Sequence, residues 1–393
     1  MTEKTLVDRV ISFIKARKDR VEKGEVNCIP LPFERFRSEI PGIEQGSYYL
    51  VSGSTKSGKS QLSNYLFIYN TIFYSFYNRD KVTPKIFYYP LEETPEVITL
   101  RFMSFLLYTL SNGKCRISPT DLKSTDSSKP LPQSVIDLLE SSLYKEILTY
   151  YESVIEFQTS RNPTGVWKEL KEYAENNGTT YYKSITTKDE LGKDIVRKKF
   201  DYYTPNNPNE YVFIIVDHVS LIETEKGLSL RESINKLSEY LIIFRNRYNY
   251  IPVVVQQQSL ETTNLDAFKA NKIRPTMAGL SDSKYTGKDC TVMLGITNPH
   301  SFEIPAYLGY DITKLLGNAR FLEVVLNRNG QSNGICPLYF DGAVNYFKEM
   351  PLPTDKESMG NIYLLLQKIR KTGVSFFSLS IKNIINKLQS SFK

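Results

Sequence analysis

Short apolar runs alternating with helix-length segments predict an α/β fold, a mostly parallel sheet covered by helices on both faces. Lys85 to Pro90, Tyr211 to Val216 and Ile251 to Val255 are the clearest runs, each too continuous for a half-solvated strand. The third observation locates the chemistry. Tyr48 to Val51 runs into Gly53-Ser54-Thr55-Lys56-Ser57-Gly58-Lys59-Ser60, and Gln61 to Tyr77 then reads as a helix. In a strand–loop–helix context, such glycines let backbone N–H groups turn around phosphate oxygens, and the helix N-terminus adds partial positive charge. Gly53 through Gln61 are therefore the expected contacts to a nucleoside triphosphate. Lys59 is suited to reach the β- and γ-phosphates and the Ser60 hydroxyl to ligate Mg²⁺.

The remaining elements follow in order. Glu3 to Lys18 places Leu6, Val7, Val10, Ile11, Phe13 and Ile14 on one helical face, which packs either on its own domain or on a neighbour. After Lys85 to Pro90, Thr94 is the expected N-cap and Pro95 the first residue of a helix to Leu110. Residues 111–132 are rich in Ser, Lys and Pro, as in a surface excursion. Ser153 to Gln158 reads as a strand and Thr164 to Asn176 as the helix after it. Tyr181 to Tyr203 alternates around Gly192, predicting a hairpin inserted within about 179–209. A helix over Leu230 to Tyr248 follows, then strands at Cys290 to Ile296, Phe321 to Leu326 and Ile335 to Phe340. Ile362 to Lys371 and Leu379 to Gln389 suggest two short helices broken at Gly373. The expected organisation is an N-terminal helix over 1–24, a nucleotide-binding domain over 25–350 and a basic helical tail over 351–393.

Composition narrows the function classes. At 41% hydrophobic and 24% charged residues, the chain is ordinary for a soluble protein, and it contains no eighteen-residue apolar stretch for a membrane span. It starts without a secretory leader, so a cytoplasmic location is expected. Cys28, Cys115, Cys290 and Cys336 lack paired spacing, which favours free thiols over disulfides or zinc. The net charge is +7, but residues 361–393 hold six Lys/Arg and no acid, so the body is nearly neutral. Any nucleic-acid site in the body must be local. The tail either packs on the core, binds DNA or docks a replication partner.

An apolar strand ending in Asp217 is the expected companion of the phosphate loop, its carboxylate holding Mg²⁺ directly or through water. Hydrolysis also needs a group that activates water. Glu92 and Glu93 both follow the second strand at the carboxyl edge, with Glu92 preferred as the nearer. Gln258 ends the next strand, placed either to sense phosphate or to hold a loop.

In this order the pieces resemble the motor domain of DnaB-type hexameric replicative helicases, the RecA-like superfamily-four group, over roughly Thr5 to Phe347. Ile29-Pro30, Phe33 and Phe36 are similar to that family's opening segment, and Gly53 to Ser60 to its first nucleotide motif. Pro90-Leu91-Glu92 resembles its Ser-Leu-Glu, which implies Glu92 as catalytic base. Val216-Asp217-His218-Val219-Ser220-Leu221 resembles its Asp-Tyr-Leu-Gln-Leu, and Pro252-Val-Val-Val-Gln-Gln-Gln258 its Pro-Val-Val-Ala-Leu-Ser-Gln. Arg274-Pro275 through Asp289 is similar to the segment whose loop holds single-stranded DNA, which makes Lys284 and Lys288 the candidate contacts. Asn327-Arg328-Asn329-Gly330 resembles Gln-Arg-Asn-Gly, implying Arg328 as an arginine finger given to the adjacent subunit.

The resemblance implies a RecA-like fold and a phage-like helicase subunit without the family's helical N-terminal domain, with 1–24 as linker helix and 25–350 as motor domain. It would use ATP and Mg²⁺ in a homo-oligomeric, hexameric ring on single-stranded DNA, with a primase or other replisome protein as partner. Departures are Leu326 where the family carries lysine and Ser281-Asp282-Ser283 where it carries Arg-Glu-Ser. The hairpin and the segment after Met350 have no counterpart. A RecA- or KaiC-like DNA-dependent ATPase without unwinding activity would share the nucleotide motifs, as would a helicase-loading or packaging ATPase.

Overall fold

The computed structural model describes residues 5–188, 193–259 and 273–372. A nine-stranded sheet forms its spine. In chain order the strands are β1 (Tyr49–Gly53), β2 (Thr83–Pro90), β3 (Ile155–Phe157), β6 (Glu210–Asp217), β7 (Ile251–Gln257), β8 (Val292–Thr297), β9 (Ala319–Asn327), β10 (Ile335–Asp341) and β11 (Tyr346–Glu349). The numbers β4 (Gly178–Lys188) and β5 (Asp194–Pro205) belong to a separate two-stranded hairpin. Across the large sheet the order is β11-β10-β9-β8-β1-β7-β6-β2-β3. Every pair from β8 to β3 is parallel, whereas β8-β9, β9-β10 and β10-β11 are antiparallel. The mostly parallel expectation holds, and the fold is RecA-like α/β. β9, β10 and β11 follow one another through short connections, too brief to carry crossover helices.

The strands are apolar on both faces because both are covered. Ile86, Tyr88, Phe213 and Ile215 face one core, while Phe87, Tyr89, Val212, Ile214 and Val216 face the other. That period of two splits one strand between two layers. The first layer contains α2 (Lys59–Ser63), a π-helical stretch (Asn64–Tyr69), α3 (Asn70–Tyr77) and α4 (Pro95–Leu110). The second contains α8 (Pro163–Asn176) and α9 (Leu230–Tyr248), whose Val166, Leu170, Leu237 and Phe244 are buried. Ser229 caps α9 through a reciprocal bond pair with Glu232. Thr94 precedes α4 in extended backbone but makes no side-chain cap bond, so Pro95 alone sets the start.

Some expectations change. The strand expected from Ser153 begins only at Ile155, because α7 (Ser142–Val154) claims the residues before it. Tyr144, Ile147, Tyr151 and Val154 are buried at helical spacing, a stripe that overrides the local strand propensity. The excursion after residue 111 includes α5 (Pro119–Leu122) and leads into α6 (Gln133–Leu139). The continuous helix read from Gln61 to Tyr77 widens to π geometry in its middle, where all six residues are buried.

The N-terminal helix, α1 (Leu6–Glu22), is held by Arg17 to Glu44 (3.2 Å) and Arg20 to Asn209 (2.8 Å). Its Val7, Val10, Ile11, Phe13 and Ile14 are exposed, so its apolar face is uncovered here. At the other end α10 (Tyr285–Asp289) precedes β8, and α11 (Lys356–Thr372) starts six residues before the helix expected from Ile362. Met359 and Leu366 of α11 are buried with Tyr310, Phe321 and Tyr339, so this part of the tail packs on the core. The second expected tail helix, Leu379 to Gln389, lies outside the described residues.

Phe102 is fully buried on α4 and stacks on Tyr151 at 4.4 Å. Phe102→Ala should cost about 3–5 kcal/mol, read as a lower denaturant midpoint with an unchanged native far-UV spectrum.

Candidate nucleotide site

The phosphate loop leaves the end of β1 and closes onto the first turn of α2. A Cβ on Gly53 would lie 2.4 Å from Ser57 Oγ and 2.7 Å from the Ile296 carbonyl, so this close return admits only glycine. Gly58 is the N-cap of α2 with φ +94°, backbone that side chains rarely tolerate. Beneath the loop sits Arg320, 5% exposed, whose Nε donates to the Ser57 carbonyl at 2.6 Å. Its Nη1 donates to the Gly317 and Ala319 carbonyls, and its guanidinium stacks over the Phe340 ring at 4.9 Å. Burial lowers the Arg320 pKa to about 10. No carboxylate is among these partners, so the buried charge is balanced by carbonyl dipoles and a ring face. The sequence reading overlooked Arg320; the signal was an arginine within the apolar run of β9.

Asp217 ends β6 and is buried. One carboxylate oxygen accepts from Ser60 Oγ at 2.9 Å and the other from Tyr88 Oη at 3.2 Å. Burial pushes its pKa up to about 6, opposed by these two hydrogen bonds and by the Lys59 charge. Ser60 and Asp217 thus present two hard oxygen donors together, a set that fits Mg²⁺ completed by water and phosphate oxygens. The glycine cradle likewise fits a polyphosphate.

The two acids after β2 separate cleanly. Glu93 is locked in a two-pronged ion pair with Arg101 of α4, whereas Glu92 projects at the rim with its side chain 53% exposed. His218 Nε2 stands 3.7 Å from its carboxylate. Burial lowers the His218 pKa, favouring the neutral ring. Glu92 is therefore the acid available to a water molecule.

The three glutamines at the end of β7 point to different tasks. Gln258 is buried, donating to Ser52 Oγ (2.7 Å) and the Thr276 carbonyl (3.1 Å). It joins the phosphate-loop strand to the segment that follows, so its hydrogen-bonding groups face structure and not the open cradle. Gln257, overlooked in the sequence, donates to Thr55 Oγ1 of the loop at 2.6 Å. Gln256 donates to the Ser281 and Ser283 carbonyls at 2.5 and 2.7 Å. Ser220, three residues beyond Asp217, donates to Asp282 at 2.6 Å. The segment after Arg274 is thereby pinned to the site from two sides. Arg274 itself is paired with Glu323 of β9.

Arg328 is not with the others. Gly53 pairs with Ile296, while Tyr49 pairs with Val292 and Val292 with Asn327. The phosphate loop and Arg328 therefore stand at opposite edges of the sheet, separated by four residues of strand, about 13 Å at ~3.3 Å per residue. Arg328 Nε donates to the Cys290 carbonyl at 2.9 Å, and its Nη2 to the Lys288 carbonyl. Lys288 is exposed beside it with Nζ 5.0 Å from the Tyr285 ring centroid, and Lys284 is exposed at the start of α10.

No family profile and no curated protein matches the sequence. Similarity appears among solved structures. A solved ATPase domain covers 89% of this chain and 100% of its own at 12% identity and a TM-score of 0.58. The structure of a DnaB-like replicative helicase and its interactions with primase covers 88% of this chain and 67% of its own, at 11% identity and a TM-score of 0.57.

The Asp217 carboxyl has a folded pKa raised from 3.8 to about 6, so in metal- and nucleotide-free protein stability falls as pH rises between these values. Asp217→Asn should therefore stabilise the apo protein by about 1–3 kcal/mol at pH 8, with the gain vanishing toward pH 4 in thermal melts with EDTA. Arg320→Gln should weaken Mg-ATP binding about tenfold by freeing the loop carbonyls, measured by titration with a fluorescent nucleotide.

Proposed function

We propose that the chain is a subunit of an ATP-driven replicative DNA helicase, one RecA-like motor of a homo-oligomeric ring that moves on single-stranded DNA. The observation that carries this reading is the split site: cradle, Ser60, Asp217 and Glu92 at one sheet edge, Arg328 at the other. A subunit so built keeps Lys59 for its own phosphates and carries its Arg328 where only another copy's site can use it. Such an arginine is worth about 10³–10⁵ in rate.

In this reading Lys59 and the loop N–H groups bind the triphosphate, and Glu92 takes the proton from the attacking water. Mg²⁺ held by Ser60 and Asp217 would neutralise charge on the phosphates. Gln258 and the Ser220–Asp282 bond would pass the change at the phosphates to the segment bearing Lys284 and Lys288, the proposed contacts to DNA phosphates. The exposed apolar stripe of α1 would dock on the adjacent subunit. Among the described residues no helix is long and apolar enough to cross a membrane, which agrees with work in the cytoplasm. A primase or other replisome protein is the proposed partner.

Arg328→Ala and Glu92→Gln proteins should each lose ATP hydrolysis, and mixing them should restore part of it through hybrid interfaces. Absence of recovery on mixing would refute the shared site. On forked duplexes carrying a 5′ or a 3′ tail, wild-type protein should separate strands only with ATP; DNA-stimulated hydrolysis without separation would favour the non-unwinding ATPase reading.

A further inference from the structure

The hairpin of β4 and β5 carries a surface that the nucleotide site does not use. It leaves the end of α8, packs at its base against α9 through Tyr203 on Tyr248 (4.9 Å), and returns into β6. Beyond that base its strands pair only with each other. Lys183 lies directly opposite Lys199, and Arg197 shares their face two residues along β5. Like charges opposed across a ladder repel. Among the described residues Asp201 offsets part of this charge, 3.1 Å from Lys183. Lys198 projects from the other face, opposite Ser184.

Three exposed tyrosines accompany the cations. Tyr181 and Tyr202 stack across the strands at 4.4 Å with 14° between ring planes, on the face of Lys183 and Lys199, while Tyr182, also exposed, projects from the face of Lys198. Lysines on a two-stranded ribbon also guard its edges against pairing with other chains. Edge protection does not account for the tyrosines, since exposed aromatic rings make association easier. Cations interleaved with open ring faces match a strand of unpaired nucleotides, whose phosphates need charge and whose bases need stacking partners.

We propose that this hairpin is a second binding site for single-stranded nucleic acid, separate from the segment of Lys284 and Lys288. Lys183, Arg197 and Lys199 meet phosphates, and Tyr181 and Tyr202 on the same face stack on bases. The hairpin binds whether or not ATP is hydrolysed, so the inference does not depend on helicase activity.

The test is fluorescence anisotropy of full-length protein with dye-labelled oligothymidylate over a salt series, with nucleotide-binding affinity and melting temperature as controls. Combined Lys183→Ser, Arg197→Ser and Lys199→Ser should lower the log–log salt slope by about two, at ~0.7 per lost phosphate contact. Combined Tyr181→Ala and Tyr202→Ala should weaken binding about tenfold with the slope unchanged. Wild-type affinity and slope in both variants would overturn the proposal. Equal weakening of a blunt duplex by the tyrosine variant would overturn the stacking role. If wild-type protein itself fails to bind oligothymidylate, both this site and the helicase reading fall; binding that survives in the variants removes the hairpin alone.

Discussion

The contact on which the site depends is the hydrogen bond between Ser60 and the buried carboxylate of Asp217. It ties the first turn of the helix after the phosphate loop to a central strand two positions away in the sheet. The loop's shape thereby becomes a property of the whole spine. Burial raises the cost of ionising Asp217, and the structure withholds full compensation: two hydroxyls donate to it and one lysine charge is near. A cation with bound phosphate would complete that balance. Arg320, on the far side of the loop, holds a positive charge met by three carbonyls and a ring face in place of a carboxylate.

From that anchor, two lines of hydrogen bonds leave the site. One runs through Gln256 and Gln258 at the end of β7; the other leaves through Ser220. Both end on the residues between Thr276 and Ser283. A movement of the phosphate loop alters Ser52 and Thr55 first, and the glutamines are bonded to both. The physical basis for coupling is therefore contiguous, side chain to backbone, without a gap that water must bridge.

Much of this was legible in the sequence, because the strongest signals are local. The phosphate loop, the strand ending in Asp217 and the capped helix from Leu230 to Tyr248 each announce themselves by residue type and spacing. Position and resemblance favoured Glu92 over Glu93, but the pairing that sets them apart was not legible: it turns on Arg101, eight residues past Glu93 on a helix whose facing could not be read. Gln258 has the expected position but its side chain is absorbed by Ser52 and Thr276, while the adjacent Gln257 reaches the loop. Alternation by one residue decides that, and a run of three glutamines hides it. The strand expected from Ser153 starts two residues later because a buried stripe spaced for a helix continues to Val154.

The opposite placement of Arg328 and the phosphate loop has a consequence for stoichiometry. A subunit with a giving edge and a receiving edge adds head to tail, and the contact surface is never self-complementary. Any open row of such copies leaves its last receiving edge idle and its first arginine unspent. Closure wastes neither. Under the proposed reading, activity per chain would rise with assembly and level off only at a closed circle, and dilution would act as an inhibitor without touching a single active-site residue.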